Sequence, residues 1–157
     1  MKCHLVMVGR TDESWLNTGL EHYLRRIERY TPFQTIVIPD IKKSSAMPDN
    51  VLKEKEGEVI LKLLSPGDIM VLLDERGMEI GSRGFADFLN KMMLSGCRKL
   101  FFVIGGAYGF SDSVYKRADH KLSLSRMTFP HQLVRLVFAE QLYRAFSILN
   151  NEPYHHD

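Results

Sequence analysis

Two loops that each follow an apolar run are the parts of this sequence best suited to bind a ligand. Residues 105–109 read Gly-Gly-Ala-Tyr-Gly and follow the apolar run 100–104, and a second polar stretch begins after Leu122. Glycine lets a backbone approach a ligand closely, and in open α/β sheets ligands lie at the carboxyl ends of strands. The two loops therefore predict a pocket in which backbone N–H and C=O groups meet a small molecule.

The glycine loop does not match the common phosphate-binding and nucleophile motifs. Ala107 stands where a GxGxxG fingerprint that began at Gly105 would need its second glycine. The chain contains neither a GxxxxGK(S/T) phosphate loop nor a GxSxG nucleophile elbow. His155 and His156 have no carboxylate or cysteine at metal-ligand spacing, so we predict no metal site.

Alternating apolar runs and amphipathic segments predict an α/β fold with a parallel sheet. The run 69–73 is apolar throughout, which is typical of a strand buried on both faces of such a sheet. We expect this strand to end in a loop at residues 74–77. The predicted strands are 3–8, 33–38, 69–73, 100–104 and 121–124, and the predicted helices are 14–29, 51–64, 82–95, 111–118 and 130–149.

Local signals predict where several of these helices begin and end. Thr11 or Asp12 is placed to cap the first helix, and Ser111 to cap the short fourth helix. Pro130 suits the first position of the last helix, and Gly96 suits the position just after the third.

The last helix differs from the others because its apolar residues lie nearly all round it. A helix that is apolar on all sides is buried on all sides, so we infer a partner subunit and, most simply, a two-fold dimer. In the second helix we expect the charged residues 53–56 to face water. The residues expected to be buried are Trp15, Leu16, Leu20, Tyr23, Leu24 and Ile27 in the first helix, Phe85, Phe88, Leu89, Met92 and Met93 in the third, and Leu133, Val134, Leu136, Val137, Phe138, Leu142, Ala145, Phe146 and Leu149 in the last.

Composition predicts one cytoplasmic domain over residues 1–157. The chain has 157 residues, of which 45% are hydrophobic and 25% charged, as is typical of a soluble globular protein. No run approaches the roughly 18 apolar residues of a membrane span, so we expect no membrane association. Cys3 and Cys97 lack CxxC spacing, which favours reduced thiols. The formal net charge of +2 leaves nucleic-acid binding open, because a basic patch can lie within a near-neutral total.

Four motifs, in this order and spacing, resemble a known family. They are Ile-Gly-Gly-Ala-Tyr-Gly-Phe at 104–110, Leu-Ser-Leu-Ser-Arg-Met-Thr-Phe-Pro-His-Gln-Leu-Val-Arg at 122–135, Glu-Gln-Leu-Tyr-Arg-Ala-Phe at 140–146 and Pro-Tyr-His at 153–155. The chain resembles the ribosomal RNA large subunit methyltransferase H (RlmH) family of the SPOUT superfamily over its whole length. The resemblance implies an open parallel sheet with helices on both faces, a homodimer, and a C-terminal trefoil knot, which is rare among folds.

The resemblance also implies a reaction and a cofactor site. The family transfers a methyl group from S-adenosylmethionine to N3 of a pseudouridine in 23S rRNA, on the assembled ribosome. The cofactor would lie at three strand ends, where apolar side chains, including Met127, wall the adenine as part of the core. The residues that the resemblance assigns to the cofactor are Leu73, Gly105, Leu124, Ser125, Arg126, Met127, Thr128 and Phe129.

Four side chains are candidates for catalysis, because the target nitrogen must lose a proton. His155 is the first choice as a general base, because histidine is the residue type whose ordinary pKa lies near neutral pH. Tyr154 can stack on or hydrogen-bond the base, and Arg144 can hold a phosphate or a carbonyl. His131 can face an anion at the start of the last helix. Purely structural roles stay open for all four, since a Glu140–Arg144 pair at i, i+4 needs no function.

Cationic side chains are expected to contact rRNA phosphates. The candidates are Arg10, Lys42, Lys43, Arg126 and Arg135. Arg25, Arg26 and Arg29 at the end of the first helix are either solvated or face the RNA. Two rival functions remain, namely a non-catalytic ribosome-associated binding module and a SPOUT methyltransferase that acts on tRNA.

Overall fold

Five parallel strands form the sheet that carries the candidate site. In a computed structural model, which describes residues 1–156, the strands are β1 (Lys2–Val8), β2 (Phe33–Ile38), β3 (Ile69–Glu79), β4 (Lys99–Ile104) and β5 (His120–Ser123). They lie in the order β2-β1-β4-β3-β5, and every neighbouring pair is parallel. All five strands therefore end at the same edge of the sheet, where the two predicted ligand-binding loops meet.

Helices cover both faces of the sheet, as predicted. The helices are α1 (Ser14–Ile27), α2 (Asp49–Lys62), α3 (Ser82–Leu94), α4 (Asp112–Arg117) and α5 (Leu133–Leu149). One core cluster joins α1, α3 and α5 to one face, and a second joins α2 and α4 to the other.

Strand β4 shows why the central strands are continuously apolar. Leu100, Phe102 and Ile104 point into the first cluster, and Phe101 and Val103 point into the second. Alternate residues of a strand face opposite sides, so a strand covered on both sides needs apolar residues at every position. Burying each such side chain contributes about 1.5–3 kcal/mol, so a polar substitution in β4 should be strongly destabilising.

Strand β3 is longer than the sequence indicated, and the expected loop at residues 74–77 is wrong. The strand continues to Glu79 after a register shift, and Leu122 of β5 pairs first with Leu73 and again with Met78. Gly77 allows this bulge because a Cβ there would lie 2.5 Å from the carbonyl carbon of Leu122.

The helix ends agree with the sequence signals at two places and differ at two. Ser111 caps α4, and Gly96 follows α3 with a φ of 77°. The capping prediction for α1 is wrong, because its N-cap is Glu13 and makes no side-chain bond. Instead, the backbone N–H of Asp12 donates to Gln132 Oε1 at 2.9 Å. Pro130 does not begin α5, which starts after Gln132.

Two residues that were expected to be buried are exposed. Trp15 is 59% exposed and Met93 is 40% exposed. Leu16 and Leu20, at i and i+4, form the buried stripe of α1, and Trp15 lies beside that stripe rather than in it.

Helix α5 is covered within a single chain. Each of its residues is buried or half-buried, because α1 and α3 flank it and the sheet lies beneath it. The argument that its apolar residues need a partner subunit is therefore wrong, and the homodimer stays a prediction. The trefoil knot also stays a prediction, with which the strand order is consistent. The described helices are too short or too polar to cross a lipid bilayer.

His4, a residue of β1, is unusual because it is a histidine in the core. Its ring is 5% exposed and stacks on Phe101 with the ring centroids 4.4 Å apart. Neither ring nitrogen has a hydrogen-bond partner among the described residues. Burial, followed by the nearby charges of Lys2 and Lys99, lowers the pKa of His4 below its ordinary value.

We expect the free energy of unfolding to fall as the pH drops below about 6.5, because the unfolded chain then binds a proton that folded His4 rejects. His4→Phe keeps the stacked ring and should remove this part of the pH dependence. Urea unfolding at about pH 7.5 and about pH 5.5 measures the difference in the free energy of unfolding between the two pH values. His156→Phe, at an exposed position, is the control and should keep the parent slope. An unchanged slope in His4→Phe would contradict the assignment.

Candidate active site

A cavity of about 600 Å³ opens at the carboxyl ends of β3, β4 and β5. One stretch of chain from each strand lines it, namely residues 73–76 at the bulge of β3, and residues 104–110 and 122–129, apart from Arg126, at and beyond the ends of β4 and β5. Its volume lies within the range of small-molecule sites, roughly 300–1,000 Å³. The two loops singled out in the sequence therefore meet at one pocket.

The glycine loop is held against α2. The backbone N–H of Gly109 donates to the carbonyl of Gly106 at 3.1 Å, which closes the turn. A Cβ on Gly106 would lie 3.0 and 3.1 Å from the two carboxylate oxygens of Glu56. Glycine is needed at this position because a buried side chain of α2 packs directly against the loop.

Helix α2 contributes two residues that sequence reasoning assigned to solvent. Glu56 is 7% exposed, and burial, with a smaller contribution from Asp40, raises the pKa of its carboxyl. Lys53, one turn earlier, lines the cavity. The expectation that residues 53–56 all face water is wrong for these two, and their Lys-Glu-Lys-Glu pattern gave no signal that one face turns inward.

A second pair of residues forms a polar wall of the cavity. The hydroxyl of Tyr115 donates a short hydrogen bond to the carboxylate of Asp74, and the backbone N–H of Arg76 donates to the other oxygen at 2.8 Å. Burial and the contact with Asp74 raise the pKa of Tyr115 to about 12. Asp74 and Tyr115 were missed in the sequence, because the bulge that places residues 74–76 in the cavity was not predicted.

The predicted cofactor residues come together at this cavity with one exception. The residues that line it are Leu73, Gly105, Leu124, Ser125, Met127, Thr128 and Phe129. Arg126 does not: its side chain is 87% exposed, and its Nε lies 3.0 Å from the carboxylate of Glu79. Met127 is 78% exposed, so its expected place in the core is wrong.

The four catalytic candidates divide between two places. His131 lines the cavity at the start of α5. Arg144, Tyr154 and His155 cluster at the other end of that helix, where Arg144 Nη1 lies 3.3 Å from His155 Nδ1. Eleven residues separate Leu133 from Arg144, which corresponds to roughly 16 Å along the helix axis.

The end of α5 turns the chain back so that this cluster forms. The N–H groups of Asn151 and Glu152 donate to the carbonyls of Ile148 and Ser147 at 3.1 and 2.9 Å. This is a Schellman motif, and Asn151 takes the left-handed conformation, with a φ of 55°, that glycine usually takes. The motif directs residues 150–156, called the tail below, back towards α1.

Glu140 connects the members of the cluster and was treated in the sequence only as a structural partner. Its Oε1 accepts from Arg144 Nε at 3.0 Å and from the Tyr154 hydroxyl at 3.2 Å. The hydrogen bond with Glu140 raises the pKa of Arg144. Burial, followed by the hydroxyl of Tyr23, raises the pKa of Tyr154, so its phenol stays protonated and acts as a donor.

Comparison with known proteins identifies the family. A family model described as predicted SPOUT methyltransferase matches residues 1–155. The chain belongs to the SPOUT methyltransferase family. Two relatives named ribosomal RNA large subunit methyltransferase H, from Parabacteroides distasonis and Bacteroides thetaiotaomicron, are 52% and 50% identical to it over 157 residues, 100% of each chain. A third, from Christiangramia forsetii, is 51% identical over 99% of each chain. The resemblance stated from the sequence motifs is thereby confirmed.

Solved structures show the SPOUT methyltransferase fold at low sequence identity. A probable methyltransferase from Bordetella pertussis has a TM-score of 0.55 and 14% identity, covering 92% of this chain and 96% of its own. A probable methylase family protein from Haemophilus influenzae has a TM-score of 0.54 and 12% identity, covering 95% of this chain and 66% of its own. These likenesses concern the fold alone.

The predicted RNA-contacting cations of this SPOUT methyltransferase do not form one surface. Arg135 is 1% exposed, and its Nη1 and Nη2 donate to Thr11 Oγ1 and the Val8 carbonyl at 2.8 and 2.7 Å, so its assignment to phosphate is wrong. Lys43 is paired with Asp49 and lies over a tyrosine ring. Arg10 and Lys42 are exposed and stay predictions.

We expect Gly106→Ala to lower the free energy of unfolding by about 1–3 kcal/mol, because the new methyl group presses on the buried carboxylate of Glu56. Urea unfolding measures the change. The control is Gly84→Ala in α3, where the nearest atom would lie at 3.4 Å, and where alanine should be neutral or stabilising. Adding Glu56→Ala to Gly106→Ala removes the clash, so the double variant should lose less than the sum of the two single changes. Equal stability of the Gly106 and Gly84 variants would contradict this packing.

Proposed function

We propose that this chain transfers a methyl group from S-adenosylmethionine to N3 of a pseudouridine in 23S rRNA of the assembled ribosome, in the cytoplasm. The cavity at the ends of β3, β4 and β5 carries this proposal. It lies where the SPOUT resemblance puts the cofactor, in a chain that is half identical over its full length to proteins named ribosomal RNA large subunit methyltransferase H.

The lining of the cavity fits S-adenosylmethionine. Leu73, Leu124 and Phe129 offer apolar walls for an adenine, and the backbone groups of the glycine loop offer polar edges. The charged lining residues are Asp74, Glu75 and Asp112 against Lys53 and Arg76, which leaves one negative charge in excess. That excess complements a cofactor with a sulfonium, an ammonium and a carboxylate. When bound, the cofactor supplies an electrophilic methyl group.

His155 is the proposed acceptor of the N3 proton. Arg144 Nη1 lies 3.3 Å from His155 Nδ1, and a neutral imidazole ring has an acceptor nitrogen that can take up a proton. This ring would take up the proton of N3, which frees the nitrogen lone pair to accept the methyl group, and would return the proton to water. Arg144 stabilises the negative charge that develops on the base, and Tyr154 donates a hydrogen bond to it.

A homodimer would bring the two halves of the site together. The cavity and the tail lie at opposite ends of α5 in one chain, and Arg144, which contacts the tail, is roughly 16 Å along the helix axis from Leu133. We infer that the tail of one chain serves the cavity of the other. An active species with the 18.1 kDa mass of a single chain would rule this out.

Methyl transfer tests the function directly. Purified protein and radiolabelled cofactor are incubated with assembled ribosomes, free large subunits and bulk tRNA from a strain that lacks the activity. We expect label in 23S rRNA of assembled ribosomes alone. Label in tRNA would move the chain to another SPOUT activity, and cofactor binding without any label would contradict the substrate. Absence of both label and cofactor binding would leave a binding module.

We expect His155→Ala to lower turnover at saturating ribosomes by roughly 10²–10⁴-fold, because a positioned proton acceptor is lost. Cofactor affinity should change little, since His155 is proposed to take a proton from the substrate rather than to hold the cofactor. His156→Ala changes the exposed neighbour and should leave turnover at the parent level. If the two variants turn over equally fast, His155 is not the acceptor.

A further inference from the structure

The end of α1 and the turn that follows it contact the tail at three points. Tyr23 and Arg26 stand at i and i+3 on one side of α1, and Tyr30 lies in the turn after the helix. The Tyr23 and Tyr154 hydroxyls lie 3.3 Å apart, and the Tyr30 hydroxyl donates to Glu152 Oε2 at 2.6 Å. Arg26 lies between these two contacts.

Arg26 is placed quite differently from the arginine beside it. The side chain of Arg25 is 80% exposed and pairs with Glu21 at 3.5 Å. Arg26 is half-buried: its guanidinium carbon lies 4.0 Å from the ring centroid of Tyr143, and its Nη2 donates to the Tyr143 hydroxyl at 2.5 Å. A cation over an aromatic face is attracted by the ring quadrupole, and partial burial strengthens that attraction.

The same guanidinium also reaches the tail. Its carbon lies 5.4 Å from the ring centroid of Tyr154, while that of Arg144 lies 4.8 Å from the same ring. Tyr154 packs edge-on against Tyr143 with the centroids 4.6 Å apart. Arg26 therefore contacts both rings of a tyrosine pair, one from α5 and one from the tail, and joins three elements through side chains.

Tyr154 directly precedes His155, so the position of its ring limits where the imidazole can lie. The tail has no helix or strand of its own, and beyond the Schellman turn its backbone bond is Tyr154 N–H to the Glu152 carbonyl at 2.8 Å. Side-chain contacts with α1 and α5 therefore decide the place of residues 154 and 155. Without the guanidinium, the Tyr143–Tyr154 pair loses the cation that both rings face.

We propose that Arg26 is a positioning residue for methyl transfer, which fixes Tyr154 and, through it, His155 in the geometry that the reaction needs. Its effect on turnover rests on the function proposed above, whereas its effect on the order of the tail does not. Arg26 need not touch the substrate to act in this way.

The test compares Arg26→Met, Arg26→Lys and the matched control Arg25→Met. Arg26→Met keeps an apolar stem and removes the charge. We expect it to lower kcat on ribosomes by roughly 10–100-fold, because misplacing a reacting group costs about this much. KM for ribosomes and cofactor affinity should stay near the parent values, and amide hydrogen exchange in the tail should become faster. Arg26→Lys keeps a cation, so its kcat and its exchange rate in the tail should lie between those of the parent and Arg26→Met. Arg25→Met should match the parent in every measurement.

The outcomes separate this inference from its rivals. If Arg26→Met raises KM for ribosomes and leaves kcat intact, Arg26 binds RNA and the positioning role is overturned. A lower kcat with unchanged exchange in the tail overturns it as well. Amide hydrogen exchange in β4 shows whether the fold stays intact. If it becomes faster in Arg26→Met, the same comparison is made with Tyr23→Phe. That variant removes one contact with Tyr154 and should speed exchange in the tail. A parent protein that transfers no methyl group refutes the proposed function, while the exchange comparison still decides whether Arg26 holds the tail.

Discussion

A buried arginine at the carboxyl end of β1 fixes where α5 begins. Arg135 donates to the last residue of that strand, Val8, and to Thr11 just beyond it. A buried cation is costly unless it is hydrogen-bonded and compensated, and here Asp40 and Asp12 supply the compensating charge. Because breaking a buried charged contact costs about 3–5 kcal/mol, the start of α5 has one stable position relative to the sheet. The loop before α5, which lines the cavity, is therefore held in place as well.

From this fixed start, α5 connects two chemically different environments. The cavity beside its first turn carries one negative charge in excess and apolar walls, which suit a cationic cofactor with a purine. The far end carries Arg144, Tyr154 and His155, with Arg26 close by, which suit an anionic substrate with an aromatic base. A methyltransferase of RNA has to bind partners of opposite charge without letting either occupy the other's site. Within one chain the two environments lie at opposite ends of α5, and in the proposed homodimer the tail of one chain would reach the cavity of the other.

How much the sequence revealed depended on whether local residues or distant partners decide the structure. Strands such as β4 were predicted because a run that is apolar at every position has few alternatives. The continuation of β3 was not, because residues 74–79 are mostly polar and only their bulged pairing with β5 makes them a strand. In the sequence, Arg135 and Glu56 look like solvated helix residues. Their surroundings become evident only in the structure, where Thr11 and Gly106, distant in the chain, lie beside them. The cofactor loops were found because their glycines and apolar flanks are local signals, whereas Asp74 and Tyr115 come together across 41 residues.

Two arginines of α1 show that adjacent, identical residues can have different surroundings. Arg25 and Arg26 cannot be told apart in the sequence, yet the helical repeat turns one towards water and the other towards Tyr143. The tail that Arg26 contacts is ordered by side chains rather than by regular backbone pairing, and segments of this kind open at lower free energy than the core. In the proposed reaction, Nδ1 of His155 exchanges its contact with Arg144 for the substrate, and a segment with a low cost of opening permits that exchange without disturbing α5. Contacts that are strong enough to place the imidazole and weak enough to release it are therefore what this end of the molecule requires.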